Sequence, residues 1–91
     1  MVRAKHYIIR GRVQGVGYRF FALRSAEHRG IRGYVRNLPD GAVEAHAQGD
    51  EADLGPFKAD LRRGPEMAHV NEIVETDAAV SDAYLSFSIR G

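Results

Sequence analysis

The feature that most limits what this chain can become is the way its apolar period changes along the sequence. Residues 2 to 13 set Tyr7, Ile9, Gly11 and Val13 on one side of a period of two, which predicts a strand. QGVGYR, residues 14 to 19, interrupts it with two glycines, residues that open backbone angles closed to others, and this predicts a tight loop. From Phe20 to Arg29 the spacing becomes three, through Phe20, Leu23 and Ala26 with Ala22 beside them, and Gly30 stands where a helix terminator belongs. IRGYVRNL, residues 31 to 38, is β-rich and runs into the turn signal Pro39-Asp40-Gly41. Beyond it Val43, Ala45 and Ala47 alternate with Glu44, His46 and Gln48, so a hairpin with one apolar and one polar face is expected.

Asp50 then suits a helix cap, and Leu54, Phe57 and Leu61 follow at helical spacing before Gly64-Pro65. Pro56 conflicts with that cap, because inside a helix it removes a hydrogen bond and crowds the preceding turn; a helix kinked at Pro56 or beginning there is predicted. Strands are expected over 68 to 77, around Val70, Ile73 and Val74, and at the end, where Leu85, Phe87 and Ile89 alternate with Tyr84, Ser86 and Ser88. The order is that of an α+β, ferredoxin-like α/β sandwich (βαββαβ with a short extra strand), with two helices on one face of a mainly antiparallel sheet. A single domain over residues 1–91 is expected, since a chain this short supports one core.

Composition narrows the chemistry. The absence of cysteine excludes thiol nucleophiles, disulfides, iron–sulfur clusters and thiolate zinc sites. No stretch approaches the roughly 20 apolar residues of a membrane helix, and MVRAKHYIIRGR lacks the apolar core of a secretion signal, so a cytoplasmic protein is expected. His6, His28, His46 and His69 show no short metal-ligand spacing and are read as non-ligands, with no metal or cofactor assigned. Asp40 and Glu44 read as turn and surface residues. Residues 1 to 39 hold nine Lys/Arg against Glu27 alone, and residues 40 to 91 four against eleven acids. Either one half faces an anion or the halves interleave and compensate.

The glycine loop is the candidate site. Backbone N–H groups of Gln14, Gly15, Val16, Gly17 and Tyr18 can turn inward beside the positive end of the following helix, and Arg19 adds a planar cation that grips two oxygens of one phosphoryl group. The alternative is a plain turn followed by a solvated cation. The dinucleotide fingerprint and the Gly-Lys-Ser/Thr nucleotide loop are both missing. A right-handed crossover makes the first two strands parallel with the third between them, so their carboxyl ends share an edge. Val13 and Asn37 would then stand roughly 10 Å apart, two strand spacings, and Asn37 could face whatever the loop binds. The alternative for Asn37 is that it only prepares the turn that follows.

VQGVGYR at residues 13 to 19, with Gly11 two positions before it, and GYVRNLPDG at residues 33 to 41, continuing to Val43, Gln48 and Gly49, resemble the paired signatures of acylphosphatases. The resemblance continues through GPEMAHV at residues 64 to 70 and covers nearly the whole chain. Tyr18 stands where Phe is more usual, Tyr34 where Trp is common, and Gly55-Pro56 is atypical. The resemblance implies metal-independent hydrolysis of a small-molecule acyl phosphate to a carboxylate and inorganic phosphate. It implies that Arg19 and the amides of the loop hold the phosphoryl group and that the Asn37 carboxamide orients the attacking water. A monomer without nucleic-acid or membrane partners is expected.

Two other classes share the topology. Arg32-Gly33-Tyr34 begins like the signature of an RNA-recognition motif, but Val35, Arg36 and Asn37 break it, and it falls on the second strand instead of the third; stacking aromatics are not expected on one sheet face. A binding module without turnover is the other, like the acylphosphatase-like domains of larger, cysteine-rich hydrogenase-maturation proteins.

Overall fold

The computed structural model describes residues 1–91. Its elements run β1 (Val2–Arg12), α1 (Tyr18–His28), β2 (Arg32–Asn37), β3 (Val43–Asp50), α2 (Glu51–Arg63), β4 (His69–Ala78) and β5 (Phe87–Arg90). The strands form one sheet in the order β4-β1-β3-β2-β5, antiparallel except for the parallel β2–β5 pair. Both helices pack on one face, and the fold is the expected ferredoxin-like α+β sandwich.

The core follows from the alternation. Tyr7 and Ile9 of β1, Val35 of β2 and Val43, Ala45 and Ala47 of β3 turn inward against Ala22 and Ala26 of α1 and Leu54, Phe57 and Leu61 of α2. The small side chains of β3, the central strand, leave room for rings: Phe57 meets Tyr7 and Phe87 edge-on at centroid distances of 6.1 and 6.0 Å. Truncating the fully buried Phe57 to Ala costs about 3–5 kcal/mol by analogy with other core cavities.

Several expectations are corrected. The first helix starts at Tyr18, not Phe20, and its buried stripe is Tyr18, Ala22 and Ala26. Phe20 points outward, 57% exposed. Ala26 belongs to both stripes and Leu23 still packs against the core, but the loop expected over residues 14 to 19 takes in Tyr18, so spacing alone points to Phe20 as the buried ring.

Of the two forms expected for the second helix, a start at Pro56 is excluded, since Pro56 lies inside it. It begins at Glu51, capped by the Asp50 carboxylate, which accepts from Ala52 N–H at 2.9 Å. The residue before a proline is normally kept out of the helical region partly by its own Cβ, and Gly55 has none. Gly55 and Pro56 lie on the solvent side, while Leu54 and Phe57 bury the other.

The polar face of β3 is covered, with His46 8% and Gln48 1% exposed. The segment 79 to 86 lies over it: the Gln48 carboxamide exchanges two 2.8 Å hydrogen bonds with the Ser81 backbone, and the Tyr84 ring sits 4.8 Å from His46. Glu44 is not a free surface residue either; it accepts from His6 at 2.8 Å and pairs with Arg36. Lastly, Leu85 does not share the inward side with Phe87 but is 87% exposed.

Of the two charge alternatives, interleaving holds. Arg3, Lys5, Arg10, Arg29 and Arg36 from the basic half pair with Glu51, Asp77, Asp40, Asp60 and Glu44 from the acidic half.

Candidate active site

β1 and β2 both pair antiparallel with β3 and therefore run parallel to each other. The register sets Asn37 opposite Val43 and Val43 opposite Ile9. It is thus Ile9, not Val13, that stands level with Asn37. β1 continues past that level and is redirected by an irregularity between Arg10 and Gly11, where it pairs with β4. Only glycine fits there, since a Cβ on Gly11 would come within 2.1 Å of the His69 carbonyl oxygen. Bulges of this kind re-aim a chain beside a site, and here the chain leaves β1 to form the glycine loop.

Gly15 and Gly17 take φ of +73° and +79° in open space, so backbone angle and not crowding demands glycine. Gly17 occupies the capping position of α1 with no side-chain acceptor, and Arg19 lies in the helix's first turn instead of at the loop's end. No main-chain hydrogen bond outside regular structure has its donor in residues 14 to 17; the first donor is Phe21 N–H, to Gly17 C=O at 3.1 Å. Helix geometry leaves the next N–H groups, at Tyr18, Arg19 and Phe20, without intrahelical partners as well. The result is a run of free donors at the positive end of a helix, an arrangement suited to an anion.

These groups border a cleft of about 200 Å³ lined by Val13, Gly15, Gly17, Tyr18, Arg19, Phe20, Asn37 and Ile89. Gln14 and Val16 contribute no lining. Arg19 forms none of the chain's ion pairs. The Asn37 Oδ1 is buried without a hydrogen-bond partner. That separates the two readings of Asn37. The turn is built without it: Asp40 Oδ1 accepts from Ala42 N–H at 3.0 Å, Leu38 N–H donates to Ala42 C=O at 2.8 Å, and Arg10 holds Asp40 at 2.9 Å. The bond from Ala42 N–H, followed by that from Arg10, holds the Asp40 carboxyl below the usual range. Asn37 is left free to serve the cleft.

Gln14 has a role that spacing did not reveal. Its side-chain Nε2 donates to both Leu38 C=O and Ala42 C=O at 2.8 Å, fastening the glycine loop to the turn that follows Asn37. Tyr18 is buried, and its hydroxyl donates to Leu61 C=O of α2 at 2.6 Å. Burial pushes its ionisation upward, so the phenol stays a donor. Phe20 and Ile89 also line the cleft, which periodicity alone does not indicate.

A larger hollow of about 480 Å³ lies among Arg3, Lys5, Tyr7, Glu51, Glu75 and Asp77. It suits an anion poorly, since its two cations are paired and outnumbered by acids. On the sheet face away from the helices Tyr34, His46 and Tyr84 do gather, contrary to the expectation that aromatics would not share a face. Tyr34 stacks on His46 at 5.7 Å, Tyr84 covers His46, and Arg90 sits 3.9 Å over Tyr34, so these ring faces are already used. No three His, Asp or Glu side chains converge as metal ligands.

The acylphosphatase family model matches residues 5–89. The chain belongs to the acylphosphatase family. An acylphosphatase of Solibacter usitatus is 48% identical over 87 residues, covering 96% of this chain and 90% of the relative. The crystal structure of the acylphosphatase from Bacillus subtilis superposes with a TM-score of 0.94 at 35% identity over the full length of both chains. A full-length HypF in a phosphate- and nucleotide-bound form gives a TM-score of 0.88 at 26% identity, but this chain spans only 12% of it. The acylphosphatase relatives match along nearly their whole length. The match to HypF is to one part of a much larger protein.

Proposed function

We propose that this acylphosphatase hydrolyses small acyl phosphates in the glycine-loop cleft, with Arg19 and the loop amides holding the phosphoryl group and Asn37 orienting water. The observation that carries the reading is the juxtaposition of an unpaired Arg19 and an unpartnered Asn37 carboxamide in one cleft beside free N–H groups.

Phosphoryl transfer passes through a loose transition state with charge spread over three equatorial oxygens, so the protein mainly positions and stabilises. Arg19 supplies a fork for two of those oxygens, and the N–H donors of Gly15, Gly17 and Tyr18 surround the group. The water oxygen bonds to phosphorus as the bond from phosphorus to the acyl oxygen breaks. That bond's electron pair leaves on a carboxylate, and the water proton ends on a phosphate oxygen. A carboxylic acid has a pKa near 4, so the leaving oxygen needs no proton donor. Asn37 neither gives nor takes a proton; a half-turn about its last torsion presents either end of the carboxamide to the water. Its contribution is geometric, worth most when the water must be in line. Gln14 acts by fastening the loop to the Asn37 turn.

The same reading takes the protein as a monomer and a single cytoplasmic domain over 1–91. The test is phosphate release from a synthetic acyl phosphate in the presence of chelator, with inorganic phosphate as a competitive inhibitor. Multiple turnover supports the enzyme. Binding of phosphate without release from the acyl phosphate supports a binding module instead.

A further inference from the structure

We infer that Phe20 and Ile89 form the subsite for the acyl group, so that aromatic or branched apolar acyl phosphates are preferred over acetyl-sized ones. The inference rests on the phosphate reading of the same cleft. Of the apolar side chains lining it, Val13 and Tyr18 are each 1% exposed and belong to the core. Phe20 and Ile89, at 57% and 39%, are the apolar side chains there that a ligand can reach.

Their positions come from different elements. Phe20 follows Arg19 in the first turn of α1, and Ile89 lies on β5, paired in register with Val35 of β2, the strand that ends at Asn37. One face of the Phe20 ring is occupied: the Arg24 guanidinium, one turn along, lies 5.9 Å from the ring centroid. The lining contains no acidic side chain and no cation besides Arg19. Once Arg19 and the loop have taken the phosphoryl end, the polar part of the lining is used. A cleft of about 200 Å³ is below the size that encloses a drug-sized ligand. An acyl group emerging from it meets Phe20 and Ile89, and the affinity it gains there depends on the apolar area it covers. Such binding is equal in ground and transition states, so it appears in KM and not in kcat.

The test compares benzoyl phosphate with acetyl phosphate in the wild-type protein and in Phe20→Ser, Phe20→Leu and Ile89→Ser. The readout is the ratio of the two kcat/KM values. Each substrate is referred to itself across proteins, so differences in leaving ability cancel. The ratio should fall about tenfold in Phe20→Ser, less in Phe20→Leu and about threefold in Ile89→Ser, mainly through the KM for benzoyl phosphate. A ratio unchanged in the Phe20 variants, whatever the absolute rates, overturns the acyl subsite and leaves the phosphate reading standing. A wild-type protein that hydrolyses neither substrate overturns both.

Discussion

Two half-buried polar regions of this molecule each set arginine among other polar groups and end in opposite states. Between the helices, Asp60 of α2 accepts from Ser25 at 2.7 Å and from Arg29 Nε and Nη2 at 3.1 and 3.0 Å, with Arg63 at 3.4 Å. Burial pushes its carboxyl up, but the bonds from Ser25 and Arg29 more than offset this and hold it below the usual range. In the cleft, a guanidinium, a carboxamide and a run of N–H groups converge without partners. Unmade hydrogen bonds in a folded protein cost about 1–3 kcal/mol each when buried. The contrast teaches where to look for function: the satisfied cluster holds the helices together, and the unsatisfied one is the site proposed to bind phosphate.

Substitutions should separate the two regions. The largest effect belongs to Arg19→Lys, which keeps the charge and loses the fork; kcat/KM should fall about a thousandfold, roughly 4 kcal/mol of transition-state stabilisation. Its unfolding free energy in urea should stay within about 0.5 kcal/mol of wild type, because Arg19 forms no ion pair to lose. Asn37→Ala should lower kcat about a hundredfold while the inhibition constant for inorganic phosphate moves less than about twofold. A large loss of phosphate binding would instead put Asn37 among the phosphate-holding groups. Asp60→Ala inverts the pattern, with about 2 kcal/mol lost in chemical denaturation and turnover per folded molecule unchanged.

Gln14→Ala sits between the regions. Leu38 C=O and Ala42 C=O each keep a main-chain donor, so stability should drop by only about 1 kcal/mol, with a severalfold fall in kcat from a loosened loop. The smallest effect is on pH dependence. Burial, then the charges of His6 and Arg90, depress the His46 pKa against the opposing pull of Glu44. The fold therefore favours the neutral ring, and stability is fully present above the unfolded value of about 6.5 and declines as pH falls through the folded one. His46→Phe should flatten that decline relative to wild type, measured as midpoint against pH; an unchanged slope would remove His46 as its source. Asp60 acts lower, its contribution being lost as pH drops below about 4.

Most of the architecture was legible because local signals agreed: two changes of apolar period, a glycine after α1 and Pro-Asp-Gly before β3. That Arg19 and Asn37 line one cleft was legible because Arg19 follows the glycine loop and the crossover sets the ends of β1 and β2 at one edge. The failures have separate causes. The two stripes on α1 share Ala26, so spacing could not choose between Phe20 and Tyr18 as the buried ring. Pro56 misled because the compensation lies in its neighbour, Gly55. His46 and Gln48 look solvent-facing along β3, and only the return of residues 79 to 86 covers them, which no local pattern announces. The state of Asn37 was also out of reach, since whether its carboxamide is spent on the turn depends on Asp40 having taken that role.

The central claim is that the loop amides and Arg19 hold a phosphoryl group. Titrating the isotope-labelled protein with inorganic phosphate at constant ionic strength, and following each backbone amide by NMR, tests it directly. Saturable shifts confined to residues 14 to 20 and Asn37, absent with chloride and lost in Arg19→Lys, are the expected result. Shifts centred on the Lys5–Asp77 hollow, or a loop that does not respond, would contradict it.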